Sequence, residues 1–295
     1  MKHILSFLIL LSSFTFGQSD LWWWDNDGYT IVNAETQVWY DKVVTAGGTV
    51  SDETLTAVDV FFQQLADSSL RSKMLRVNLI CGDGLTSVGI PQILSDHKDS
   101  TTMGYVIDSL KNWVSGDYTE LSGLGNAANT TKYIKTGFNP STISEIGLDN
   151  AGLGVYFLTD AAITAVNGVY ETNYFSLLIH QATNVSSARI NSTGGGTTAS
   201  TTSLGYWDGN RTLSTYQDLY RNGVLFNHIS KTSTAKTNQT KGCFFLALNI
   251  GGNPGNYDTR KLGAYTIHTG LNATEERALN NILEVFQDAL GRGVE

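Results

Sequence analysis

The feature that most constrains this chain is its last third. Three apolar runs, YRNGVL (Tyr220 to Leu225), GCFFLALNI (Gly242 to Ile250) and RKLGAYTIHTGL (Arg260 to Leu271), are followed by a single helical pattern ending in FQDALGR. An Asn-Gly pair between apolar runs predicts a tight hairpin, because both residues accept the positive φ that a two-residue turn requires. Asn222 and Gly223 supply it here. Asn272 with Glu275 three residues on predicts a capped helix start, and Leu279, Ile282, Leu283, Phe286 and Leu290 form one apolar stripe before Gly291.

Upstream, short runs alternate with Gly, Asn and Ser: Tyr133 to Thr136, Gly154 to Thr159, Tyr174 to Gln181, Ala188 to Asn191, Leu204 to Trp207 and Leu213 to Tyr220. That spacing predicts a two-sheet sandwich rather than alternating strands and helices. Residues 36 to 104 read as a helical annex with a linker, and residues 105 to 295 as the sandwich with its terminal helix. In the annex a helix from Thr36 to Ala46 stops at Gly47-Gly48, and a second, capped by Ser51, carries Leu55, Val58, Phe62 and Leu65 at helical spacing. Leu70 to Ile80 leads toward the sandwich, and Gly82 to Ser109 reads as irregular.

YIKTGFNPST (Tyr133 to Thr142), GNRTLSTYQDLYRNG (Gly209 to Gly223) and the terminal GLNATEERALNNILEVFQDALGR resemble a concanavalin A-like, laminin-G-like jelly-roll family found in phage and bacterial surface or virion proteins. The resemblance extends upstream to WYDKVVTAGGTV and LRVNLICGDGL. It implies a mainly β fold, an antiparallel β-sandwich jelly roll with an N-terminal helical annex and a C-terminal helix. It leaves the ligand open, since one sandwich hosts many functions.

Residues 1 to 17, with Lys2, an apolar run from Ile4 to Phe16 and the small Gly17, match a secretory signal peptide, with the mature chain starting at Gln18. The run is shorter than the about 20 apolar residues that span a bilayer. The expected location is secreted, periplasmic or at the cell surface. The alternative is a virion protein that retains its hydrophobic N-terminus. Residues 18 to 35 are an extended segment holding Trp22 to Trp24, which as aromatics are expected to dock on the annex or a sheet edge. Asp25 to Gly28 lack the spaced carboxylates of a calcium loop.

The net charge of −8, without a basic cluster, argues against nucleic acid as a partner. The five histidines show no metal spacing, and nucleophile-elbow and phosphate-loop motifs are absent. Jelly-roll glucanases line acidic side chains along one strand as E-x-D-x-E. The nearest approach is EIGLD (Glu145 to Asp149), where Gly147 replaces the central acid. Glycoside hydrolysis needs two positioned carboxyls, and the sequence nominates no pair. The chain is therefore read as noncatalytic.

Binding has better material. Amide and carboxylate groups beside an aromatic face suit a neutral or weakly basic saccharide. GYWDGNRT offers Tyr206, Trp207, Asp208, Asn210 and Arg211, and GGNPGNYDTR offers Asn253, Asn256 and Tyr257. The competing structural reading makes Trp207 a core residue and the acids turn formers. No cofactor is expected beyond a calcium ion that Asp208 or Asp258 would hold. Cys81 and Cys243 would be free to pair outside the cytosol, yet two buried thiols fit equally well. Asn191 to Ser203, NSTGGGTTASTTS, reads as a polar connecting loop. The expected partner is carbohydrate or another cell-surface ligand, with virion or surface-assembly proteins as the alternative.

Overall fold

The computed structural model describes residues 30–94, 107–236 and 241–295. The expectations for the signal peptide, for Trp22 to Trp24 and for Asp25 to Gly28 lie outside these residues.

The chain opens with helices α1 (Ala34–Thr45) and α2 (Asp52–Asp67), then β1 (Met74–Asn78), the one-turn α3 (Leu85–Val88) and β2 (Ile93–Leu94). Next come β3 (Ser109–Lys111), β4 (Tyr118–Thr119), β5 (Gly123–Leu124), β6 (Tyr133–Lys135), β7 (Ala151–Phe157) and β8 (Asn167–Tyr170). They are followed by β9 (Tyr174–Leu178), β10 (Val185–Ser192), β11 (Thr198–Ala199), β12 (Gly205–Arg211), β13 (Tyr216–Arg221) and β14 (Val224–Ser230). The last elements are β15 (Phe244–Phe245), β16 (Leu248–Ile250), β17 (Asn253–Gly255), β18 (Leu262–His268) and α4 (Ala273–Ala289).

Two sheets form. The first runs β14-β13-β12-β7-β18-β1-β2, with β4 and β5 beside β18. The second runs β11-β10-β9-β8-β15-β6-β3, with β16 on β8 and β17 on β16. Pairing is antiparallel except for β16 on β8. The molecule is thus a mainly β, antiparallel jelly-roll sandwich closed by a C-terminal helix.

Local chemistry places the elements as the sequence reading expects at several points. Asn222 and Gly223 adopt φ of 49° and 68° and join β13 to β14. Ser51 accepts from Thr54 N at the start of α2. Asn272 and Glu275 cap α4 reciprocally, Glu275 Oε2 accepting from Asn272 N at 2.8 Å. Gly47, at φ 79°, ends α1.

The division at residue 104 does not follow the layers. The β1 strand, inside the stretch expected to be annex and linker, pairs with β18 within the first sheet, and β2 pairs with β1 at its edge. Part of the segment expected to be irregular is therefore α3 and β2.

Two large apolar cores and one small cluster result, the small one being Val166, Leu178 and Leu248 with Tyr170 packed on it. Between the sheets lie Leu153, Val155, Phe175, Leu177, Ile190, Trp207, Leu219, Phe245 and Tyr265. On the other side of the first sheet, Tyr156, Tyr206 and Ala264 pack with Trp39, Val58, Phe61, Phe62, Leu279, Leu283 and Phe286 from the helices. Strand residues alternate between faces, so the first sheet is buried on both. Among the described residues no helix lies over the outer face of the second sheet.

Candidate functional site

The first expected binding loop is a strand. GYWDGNRT falls in β12, paired on both sides by β13 and β7. Tyr206, Trp207, Asp208, Asn210 and Arg211 are all buried. They cannot meet a saccharide in this fold. Their alternation explains their polarity. Trp207 points between the sheets and donates from its indole to Ser203 O at 3.0 Å. Arg211, on the same face, spans to the second sheet, donating to Ile190 O at 2.7 Å and to Tyr216 O at 2.9 Å. Gly209 lies between them because a Cβ there would stand 2.7 Å from Leu177 Cδ2.

Tyr206, Asp208 and Asn210 face the helices. His268 Nε2 is 2.5 Å from Asp208 Oδ2, and the Tyr206 hydroxyl reaches Thr266 Oγ1 at 2.7 Å. Gly152 and Gly154 on β7 clear the space: a Cβ at Gly152 would collide with the His268 ring, and one at Gly154 with the Tyr206 hydroxyl. Glu276 of α4 is buried in the same layer, and neither of its carboxyl oxygens has a hydrogen-bond partner. Burial, and then repulsion from Asp208 and Asp218, push its carboxyl well above the ordinary range. Burial alone would lower His268. Together, the charge and hydrogen bond of Asp208 and the hydrogen bond to the Thr269 carbonyl outweigh it, and the imidazole is shifted upward.

The proposed calcium ligands are also engaged. Asp208 is held by His268, and Asp258 binds the Arg260 guanidinium through both oxygens, at 2.8 and 2.6 Å, with both side chains fully buried. Among the described residues no group of three or more His, Cys, Asp or Glu side chains converges on a metal position. Cys81 and Cys243 are free thiols, one in the helix-side core and the other between the sheets, so the disulfide does not form. Burial pushes both thiols far above their ordinary value.

Nothing acidic lines a strand at Glu145 to Asp149, which sits in a turn closed by a Gly147–Asn150 bridge. One Ser-His-Asp grouping does occur. Asp160 Oδ1 accepts from Ser203 Oγ at 2.8 Å and lies 2.8 Å from His180 Nδ1. A nucleophilic serine must instead face the far imidazole nitrogen. That nitrogen is directed at Asn184 Oδ1, 3.3 Å away.

The second expected loop is placed differently. Asn253 and Asn256 are exposed and Tyr257 is half-buried on the β16–β17 hairpin and the chain after it, at the open face of the second sheet. Tyr257 lies 6.5 Å from the ring of Tyr133, which packs at 4.7 Å on Phe244.

Beside this hairpin the strands bring together residues that the sequence reading did not single out. Register pairs Ile250 with Tyr170 and Tyr170 with Tyr174. The two tyrosine rings stack at 4.1 Å with planes 20° apart. The Arg189 guanidinium of β10 lies 4.7 Å over the ring of Tyr174. Ile250, Tyr170, Tyr174 and Arg189 thus form an aromatic and cationic stripe across four strands, with Ile250 41% exposed and the other three half-buried. The available signal was the pair of tyrosines flanking a three-residue turn. It becomes informative only once that face is known to be uncovered.

No family model and no curated protein matches this chain. Among solved structures it is similar to a Trypanosoma rangeli sialidase holding a difluorosialic acid intermediate, at 10% identity and a TM-score of 0.46, over 82% of this chain and 40% of that one. It is also similar to the binding domain of botulinum neurotoxin serotype D, at 12% identity and 0.39, over 61% and 48%. A third similarity is to a sialidase of Streptococcus pneumoniae, at 11% identity and 0.34, over 47% and 24%. The chain spans less than half the length of each.

Proposed function

We propose that this protein is an exported, noncatalytic recognition module that binds carbohydrate on the outer face of its second sheet. The observation that carries the reading is the stripe of Tyr170, Tyr174 and Arg189 beside the exposed amides of Asn253 and Asn256. Tyrosine rings offer an apolar face to the C–H surface of a sugar while keeping a polar edge, and amides supply directional hydrogen bonds to hydroxyls. Strands hold the rings in place before any ligand arrives, which limits the ordering cost of binding. The apolar run at residues 4 to 16 motivates export.

A glycan array with the wild-type chain and a Tyr174→Ala, Tyr257→Ala double variant tests the reading. The expected result is binding that the double substitution abolishes while thermal stability is retained. Saccharide binding that survives both substitutions would move the site elsewhere. Failure to bind any saccharide would remove the carbohydrate reading.

A further inference from the structure

We infer that the ligand of this face carries an oxyanion substituent, a carboxylate or a sulfate ester, and that Arg189 is the residue that takes it. The inference rests on the carbohydrate reading above and deepens it. Arg189 differs from the arginines built into the fold. Nε of Arg76 donates to the Tyr265 hydroxyl, that of Arg211 to Ile190 O, that of Arg260 to Asp258 and that of Arg292 to Gln287. Nε of Arg189 is shut off from solvent and has no acceptor. Arg221 shares that lack, but the charge of Glu295 acts on it. For Arg189 burial is the largest influence and lowers the guanidinium, and Tyr174 is the group that offsets it. The cation is therefore under-solvated, and among the described residues Tyr174 is the group that offsets this.

A second orphan stands opposite. Ser176 is the register partner of Arg189 on β9, fully buried, and its Oγ also lacks a partner. Paired residues on adjacent strands set their Cβ atoms about 5 Å apart on the same face. A planar guanidinium stacked on a ring keeps its N–H edge available, and that edge matches two oxygens of a carboxylate or sulfate. Such a ligand group would meet the half-exposed part of the Arg189 guanidinium, with Nε and the fully buried Ser176 hydroxyl behind it. The net charge of −8 opposes long polyanions. Screening over about 8 Å at physiological salt leaves the local geometry in control for a short oligosaccharide.

The experiment is a printed array of matched neutral, uronic acid and sulfated oligosaccharides, probed with the wild-type chain and with Arg189→Ala and Arg189→Lys variants. The expected result is at least a tenfold preference for an acidic member over its neutral counterpart. That preference should be lost in Arg189→Ala and mostly lost in Arg189→Lys, because an ammonium keeps the charge without the planar fork. Uronic acid and sulfate members tell which oxyanion fits. Equal binding of neutral and acidic members, or a preference that persists in Arg189→Ala, would overturn the inference and leave the carbohydrate reading standing. No binding to any member would remove both. Melting temperatures of the variants, expected within a few degrees of wild type, separate loss of the site from loss of the fold.

Discussion

The two outer faces of the sandwich make opposite use of similar residues. On the first sheet, Tyr206, Asp208, Thr266 and His268 lie on the helix side and hydrogen-bond to one another, with Asp208 Oδ1 left without a partner among the described residues. On the second sheet, Tyr170, Tyr174, Ser176 and Arg189 lie under no described helix, and two of their polar atoms have no partner among the described residues. Aromatic rings, hydroxyls and charge are common to both. Under the helices they bond mainly within the protein; on the other face they are the residues to which the proposed binding is assigned. Under the helix Glu276 has neither carboxyl oxygen partnered, and Asp208 Oδ1 and Asn280 Oδ1 also lack partners among the described residues.

The largest way to break this contrast is at Trp207. Its replacement by Ala should cost about 3–5 kcal/mol through lost burial and a cavity between the sheets. Denaturant titration would measure this, and a variant as stable as wild type would mean that the strand is not where it is described. Glu276→Gln sharpens the contrast from the other side. It keeps the shape and removes the ionisable group, so stability at pH 8 should rise by about 1–3 kcal/mol.

The pH dependence has a definite sign. Glu276 and His268 both have folded values shifted upward. Their contribution is complete below their ordinary unfolded values and is lost as pH rises through the folded ones. Asp117, Asp160 and Glu275 are shifted downward by hydrogen bonds and nearby cations that outweigh burial. Their contribution is lost as pH falls through and below the ordinary carboxylate range. A urea midpoint that declines toward alkaline pH, with a shallower decline in Glu276→Gln, is the expected result.

On the second sheet's outer face, Tyr174→Ala should weaken saccharide binding by about 1–2 kcal/mol, roughly five- to thirtyfold, with little change in melting temperature. Isothermal titration with an array hit would show it. The smallest effect concerns the thiols. Reductant should leave the melting temperature unchanged, and a thiol assay should count two reactive groups only after denaturation, because Cys81 and Cys243 are buried and unpaired.

Much of the local structure was legible in the residues. Asn222-Gly223, Ser51, Gly47 and the Asn272–Glu275 cap each act through their immediate neighbours. A φ angle or a first-turn N–H needs no distant partner, so the sequence carries it directly. The strand around Tyr206 was legible only in part. Asp, Asn and Gly in GYWDGNRT suggest a turn when nothing is known about what surrounds them.

What the sequence by itself determined, then, is the type and sequential order of most elements, since propensity, period and capping are short-range. Only the tertiary structure decided which faces are covered. It placed β1 beside β18, laid α2 and α4 over the first sheet, sent Asp208 to His268, and left Tyr174 and Arg189 half-buried with no described helix over them. The physical reason is that a period of two assigns alternate side chains to opposite faces without saying what lies over either. Burial of a face is a property of the layers that meet there, and those layers come from residues far apart in the chain.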